Sequence, residues 1–213
     1  SNSKIRTKIL GFDCCYSGSA GQSGLIGDFS LLPQGLTIFT SSKNNQVSYE
    51  IDGHGVFTTL FVQALEGAAS NILGQTPLGS VYAFIDGAMG AYGQRPVFKS
   101  NVTEFISLRD TEPKIELVKL KKMVEYFETS VSVFALDPSF EFTNIKGGPH
   151  FNKFPYFEEK KGKIFKTLQS FNRNGLLVPI DEEDMYFAAM NSKGCKLTPL
   201  GQYYWNLIKK GLI

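Results

Sequence analysis

The chain has 213 residues, 42% of them hydrophobic, enough apolar content to bury the core of one domain and a small second one. Lys and Arg number 22 against 20 Asp and Glu, a balance that by itself argues for neither nucleic acid nor a membrane surface as partner. No apolar run approaches the roughly 20 residues that cross a bilayer, and the opening Ser1-Asn2-Ser3-Lys4 lacks the apolar centre of a signal peptide, so a cytoplasmic protein with no membrane partner is expected.

Cysteine usage points the same way. Cys14 and Cys15 are neighbours and Cys195 stands apart, which argues against a disulfide framework and for a reduced compartment. His54 and His150 have no cysteine pair near them, so neither a metal nor a cofactor is expected.

In chain order, Thr7 to Asp13 is a short apolar run with little alternation, the pattern of a central strand covered on both faces. Tyr16 to Asp28 is dominated by Gly and Ser and reads as a mobile loop. Gly35 to Ser41 reads as a second buried strand running out at Ser41, Ser42 and Lys43. From Val56 to Ala69 the spacing of Phe57, Leu60, Phe61, Ala64 and Leu65 predicts an amphipathic helix. Thr76 as N-cap and Pro77 in the first turn predict a helix through about Ala91. Strands are expected at Pro96–Phe98 and Glu104–Leu108. Alternating strands and helices imply an α/β sheet with helices on its faces.

The character changes after Pro113. Ile115 to Thr129 reads as a charged helix, and Asp137 to Pro155, rich in Gly, Pro and Asn, as a linker. A helix is then expected over Tyr156–Phe171, hairpin strands over Leu176–Ile180 and Met185–Ala189, and a closing helix capped by Thr198-Pro199. This divides the chain into 1–112, a helix and linker over 113–155, and a module over 156–213.

The sharpest chemical feature is Asp13-Cys14-Cys15-Tyr16-Ser17-Gly18 at the C-terminal tip of a buried strand. Working side chains of open parallel sheets sit where strands end and loops begin, and a thiol there has the placement of a nucleophile. On the residues alone, the alternative is that Cys14 and Cys15 are small buried hydrophobes.

The stretch Ile9 to Gly18 resembles the nucleophile segment of metacaspases and bacterial caspase-like peptidases, in which Asp, any residue, Cys, any residue and Ser-Gly close a strand. Gln46 to Glu50, Gly55-Val56-Phe57-Thr58, Leu78 to Ala91 and Gln94-Arg95-Pro96 follow in the family's order, so the resemblance covers about residues 5–110. It implies the caspase-like fold, a mostly parallel sheet flanked by helices, with Cys15 as the nucleophile of a cysteine peptidase and no cofactor. It also implies that Asp13 helps form an acidic pocket favouring Arg or Lys at the cleaved position, with Ser41 and Ser42 as further lining residues. Protein or peptide is then the substrate. The family's Cys-His dyad needs an imidazole that lies about 50 residues upstream of the cysteine in caspases, so a companion N-terminal segment would supply it. His54 lies downstream of Cys15 and leads into a helix start, and is read as a loop histidine. His150 is read as a linker residue.

Residues 156–213 look like a winged-helix unit. Lys160, Lys161, Lys163, Lys166 and Arg173 cluster on its first helix, but Asp181 to Asp184 form an acidic run at the proposed wing. A regulatory protein partner is therefore favoured over DNA. The alternative to a peptidase is a catalytically silent caspase-like scaffold whose winged helix binds a partner or DNA.

Overall fold

The computed structural model describes residues 6–13, 32–41, 50–51, 54–90, 95–102, 104–149 and 153–213. The protein is mixed α/β and divides into two compact units, 1–113 and 114–213. Among the described residues no helix is long and apolar enough to cross a membrane. The expected loop from Tyr16 to Asp28 lies outside the described residues.

In the first unit, β1 (Lys8–Phe12) pairs in parallel with β2 (Leu36–Thr40), and β2 pairs antiparallel with β6 (Val97–Asn101). A short hairpin of β3 (Glu50–Ile51) and β4 (His54–Gly55) leads into helix α1 (Val56–Gln63), which continues as a π-helical turn over Ala64–Ala68. β5 (Gln75–Pro77) opens directly into α2 (Leu78–Met89), and β7 (Ser107–Asp110) returns to pair antiparallel with β5.

The core of this unit forms where apolar faces of α1 and α2 meet Phe39 of β2. Phe39 touches Phe98, its register partner on β6, with ring centroids 4.9 Å apart, and Phe61 of α1 at 6.0 Å. Ala64, Val81, Ile85 and Met89 close around it. Each of the larger side chains among these contributes roughly 1.5–3 kcal/mol by leaving water. β2 is buried along nearly its whole length, as its apolar run predicts. β1 is not the doubly covered strand that its sequence suggests: Leu10 is 43% and Phe12 37% exposed. Among the described residues β1 has one strand partner, β2.

The α2 start also departs from expectation. Thr76 does not cap the helix; its amide donates to Ser107 Oγ at 3.0 Å while Gln75 and Pro77 pair with β7, so Thr76-Pro77 is strand and α2 begins after it. The two later strands start one and three residues beyond their expected positions.

The second unit has α3 (Leu117–Lys121) and α4 (Met123–Tyr126) where one helix is expected, then β8 (Val133–Ala135). Helix α5 (Glu159–Arg173), β9 (Leu177–Pro179), α6 (Met185–Met190), β10 (Gly194–Leu197) and α7 (Pro199–Lys209) follow. β10 lies between β8 and β9, antiparallel to both. Met185–Ala189 is helical rather than a hairpin strand, because the Asp184 carboxylate accepts the Phe187 amide at 2.9 Å and caps the turn. Thr198 caps α7 as its sequence predicts, accepting from Gly201 N at 3.1 Å. Tyr204 and Trp205 of α7 are core, and the indole N–H donates to the Phe127 carbonyl at 2.9 Å.

Of the linker expected over residues 137–155, the described residues, 137–149 and 153–155, are folded into this unit. Asp137 caps a 3₁₀ turn over Pro138–Phe140, and fully buried Asn144 holds the segment together. Its Nδ2 donates to the carbonyls of Pro138, Lys153 and Pro155 at 2.8–2.9 Å, and its Oδ1 accepts the Lys153 amide at 2.8 Å. Buried backbone groups cost free energy when unpaired, and one amide side chain pairs four of them. Asn144→Ala is expected to lower the unfolding free energy by at least about 3 kcal/mol, read by urea denaturation, whereas exposed Asn206→Ala changes it by less than about 0.5 kcal/mol.

Candidate functional site

The C-terminal ends of the parallel strands β1 and β2 lie side by side, and the Ser41 amide donates to the Phe12 carbonyl at 3.0 Å. That ladder brings Asp13 and Ser41 to one end of the sheet. Cys15 and Ser42, the other predicted site residues, and Cys14 lie outside the described residues, as does His150. Asp13 is exposed and Ser41 fully buried, so of these two Asp13 is the residue open to solvent.

The Asp13 carboxylate rests on the first turn of α1. Its Oδ2 accepts the Thr58 hydroxyl at 2.6 Å and, at 3.3 Å, the Thr58 amide. α1 has no side-chain cap of its own at Gly55, so a residue from another strand satisfies one of the amides that every helix start leaves unpaired. The partial positive charge of the helix start favours the carboxylate there. Gly55 leaves room for this approach, since a Cβ at that position would meet Oδ2 of Asp13 and push the carboxylate aside. Both bonds engage Oδ2, and Oδ1 has no hydrogen-bond partner among the described residues. The carboxylate is thus fixed by one oxygen and offers the other, an arrangement suited to a cation such as a guanidinium or an ammonium.

His54 pairs with Ile51 across the β3–β4 hairpin, directly ahead of α1. Cys195 is a different kind of thiol from one poised at a strand tip. It is buried on β10, and burial pushes its pKa up to about 12, because a thiolate loses its hydration there. It is inert as a nucleophile.

One further cluster has the composition of a reactive site. Lys161 Nζ donates to Ser139 Oγ at 2.8 Å and to Asp137 Oδ2 at 3.1 Å, and the Ser139 hydroxyl donates to Asp137 Oδ1. Burial works to raise the Asp137 pKa, but the bonds from Ser139 and Lys161 outweigh it and hold the carboxyl below its usual range. Ser139 is fully buried, out of reach of a substrate, so the cluster serves to cap the 3₁₀ turn. Sequence reading missed it because Asp137 and Lys161 are 24 residues apart. Among the described residues no group of His, Cys, Asp and Glu is arranged to hold a metal ion.

Gly55→Ala is expected to destabilise the protein by at most about 1 kcal/mol, because the Asp13 carboxylate that it meets is the free end of an exposed side chain and moves aside at the cost of its bonds to Thr58. Combining it with Asp13→Ala should recover most of that loss, a coupling measurable in a double-mutant cycle of urea unfolding. For Cys195, thiol labelling followed by mass spectrometry should find it unmodified at pH 8 until the chain is unfolded. Its raised pKa means that the folded state holds its proton longer than the unfolded state. Its contribution is complete below pH 9.0 and declines as pH rises toward about 12, a decline that Cys195→Ala should abolish.

Neither a protein-family model nor a curated protein matches the chain.

Proposed function

We propose that residues 1–112 form the nucleophile-bearing half of a caspase-like cysteine peptidase domain, with Cys15 as nucleophile and Arg or Lys preferred at the cleaved position. The observation that carries the reading is the bond between Asp13 and Thr58, 45 residues apart. Asp13 belongs to the segment that resembles the family's nucleophile strand, and Thr58 ends the Gly55-Val56-Phe57-Thr58 motif. Two motifs matched independently along the chain therefore meet in space, which a chance likeness of either would not require. The parallel β1–β2 pair and the helices packed against Phe39 agree with such a domain.

In this mechanism the Cys15 sulfur attacks the scissile carbonyl carbon. The imidazole, supplied by an upstream segment outside these 213 residues, takes the thiol proton and later gives it to the leaving amine. Water then hydrolyses the thioester. Backbone amides near Cys15 would receive the oxyanion. Asp13 Oδ1 would pair with the substrate cation, a charge-assisted contact that distinguishes Arg and Lys from apolar side chains; Ser41, fully buried, would support the pocket from behind rather than touch the substrate, and Ser42 would line it.

For the second unit we propose a winged-helix-like module that docks a regulatory protein in preference to DNA. The order α5, β9, α6, β10, α7 with an antiparallel β9–β10 pair supports it. The acidic run ahead of α6 disfavours a phosphate backbone.

Fluorogenic peptides with Arg, Lys or Asp at the cleaved position, offered to the full-length protein, test the enzyme reading. Cleavage after Arg or Lys is expected, with loss of at least about 10³-fold in Cys15→Ala and about 10²-fold lower kcat/KM in Asp13→Asn. Cleavage after Asp would remove the pocket role of Asp13. No cleavage by the intact protein would leave a catalytically silent scaffold as the better account.

A further inference from the structure

The second unit carries an open apolar cavity of about 260 Å³ between the 3₁₀ turn and α5, lined chiefly by Phe140, Phe142, Phe157 and Phe165 and edged by Lys163 and Lys166. Two of the rings are well buried, and Phe142 is 60% exposed at the rim. It is held there firmly. The preceding Glu141 is buried and its carboxylate accepts the Thr143 hydroxyl at 2.9 Å and amide at 3.1 Å, and Asn144 anchors the next step of the chain. Behind the opening, Gly162 of α5 lets the Phe157 ring lie against the helix, where a Cβ would collide with it. The cavity is therefore built from fixed walls.

Its size and charge specify an occupant. Small-molecule sites span roughly 300–1,000 Å³, so this cavity is suited to one large side chain. Lys163 on the rim is matched by Glu159 at 2.8 Å, whereas Lys166 has no carboxylate partner among the described residues, leaving an excess of positive charge beside an aromatic cleft. Aromatic anchors in pockets with charged rims are the usual energetic centre of peptide recognition.

We propose that this cavity is a docking site for a short acidic segment of another protein, which inserts one aromatic side chain among the phenylalanines and sets a flanking carboxylate on Lys166. The inference rests on the docking role given to the second unit and is independent of the peptidase chemistry.

The test uses the whole chain and a fluorescein-labelled peptide, Asp-Glu-Phe-Glu-Asp, followed by anisotropy. Saturable binding with Kd below about 1 mM is expected, weakened about tenfold in Lys166→Glu and in Phe142→Ala. Replacing the probe's Phe by Ala, or its acids by Lys, should have a similar effect. Circular dichroism checks that both variants remain folded. Absence of saturable binding, or binding undiminished in both variants, overturns the site; in the latter case the docking role stands and lies elsewhere. Phenylpropionate binding as tightly as the peptide would make it a small-molecule site and overturn the proposal. So would mass-dependent self-association abolished by Phe142→Ala, which would name a second copy as occupant. Tight binding of a labelled DNA duplex, with none of the peptide, would overturn the docking role itself.

Discussion

Burial of Phe39 on β2 is the constraint around which the first unit is arranged. A ring that is almost wholly out of water must be enclosed by something, and here Phe98 from β6 and Phe61 from α1 enclose it while Ile85 and Met89 of α2 fill the remaining space. Enclosure from both sides fixes the register of β2 against β6 and sets α1 across the sheet. The parallel ladder from β2 to β1 then places the end of β1 beside the start of α1. Asp13 inherits its position from that packing.

What Asp13 adds is a coupling between a strand end and a helix start. A carboxylate that caps a helix from another element stabilises both partners, and a glycine at the helix start leaves room for its approach. This ties a structural role to the proposed substrate role without conflict, since one oxygen serves each. The two roles are often presented as alternatives for an acidic residue at a strand tip; a carboxylate has acceptor capacity for both.

The second unit solves a different problem, that of folding a segment rich in Gly, Pro and Asn that has little helix or strand of its own. Asn144 supplies hydrogen bonds that a helix or sheet would otherwise supply, and Asp137, Ser139 and Lys161 bind the 3₁₀ turn to α5. With its backbone satisfied in this way, the segment presents Phe142 outward on a fixed loop. The aromatic cleft is thus a consequence of how polar side chains order the loop, and the lysines of α5 give the cleft its sign.

The two Thr-Pro dipeptides mark the boundary between local and tertiary information. Thr198-Pro199 caps α7 as its sequence indicates, because the bond to Gly201 spans three residues and needs no other element. Thr76-Pro77 has the same local pattern, yet β7 claims it from 31 residues away through Ser107, and strand pairing overrides the cap. Asp184 carried a usable local cap signal for α6, masked by the β-like look of Met185-Tyr186-Phe187. The α/β character, the buried β2 and the amphipathic start of α1 were legible in the sequence, since each rests on periodicity or on a contiguous pattern. The tertiary structure alone decided that Asp13 meets Thr58, that Ser41 is buried, that Cys195 is inert and that residues 137–149 and 153–155 are folded rather than linking. Each of those depends on which distant group removes water from a side chain or supplies its hydrogen bond, and no spacing within a short window encodes that.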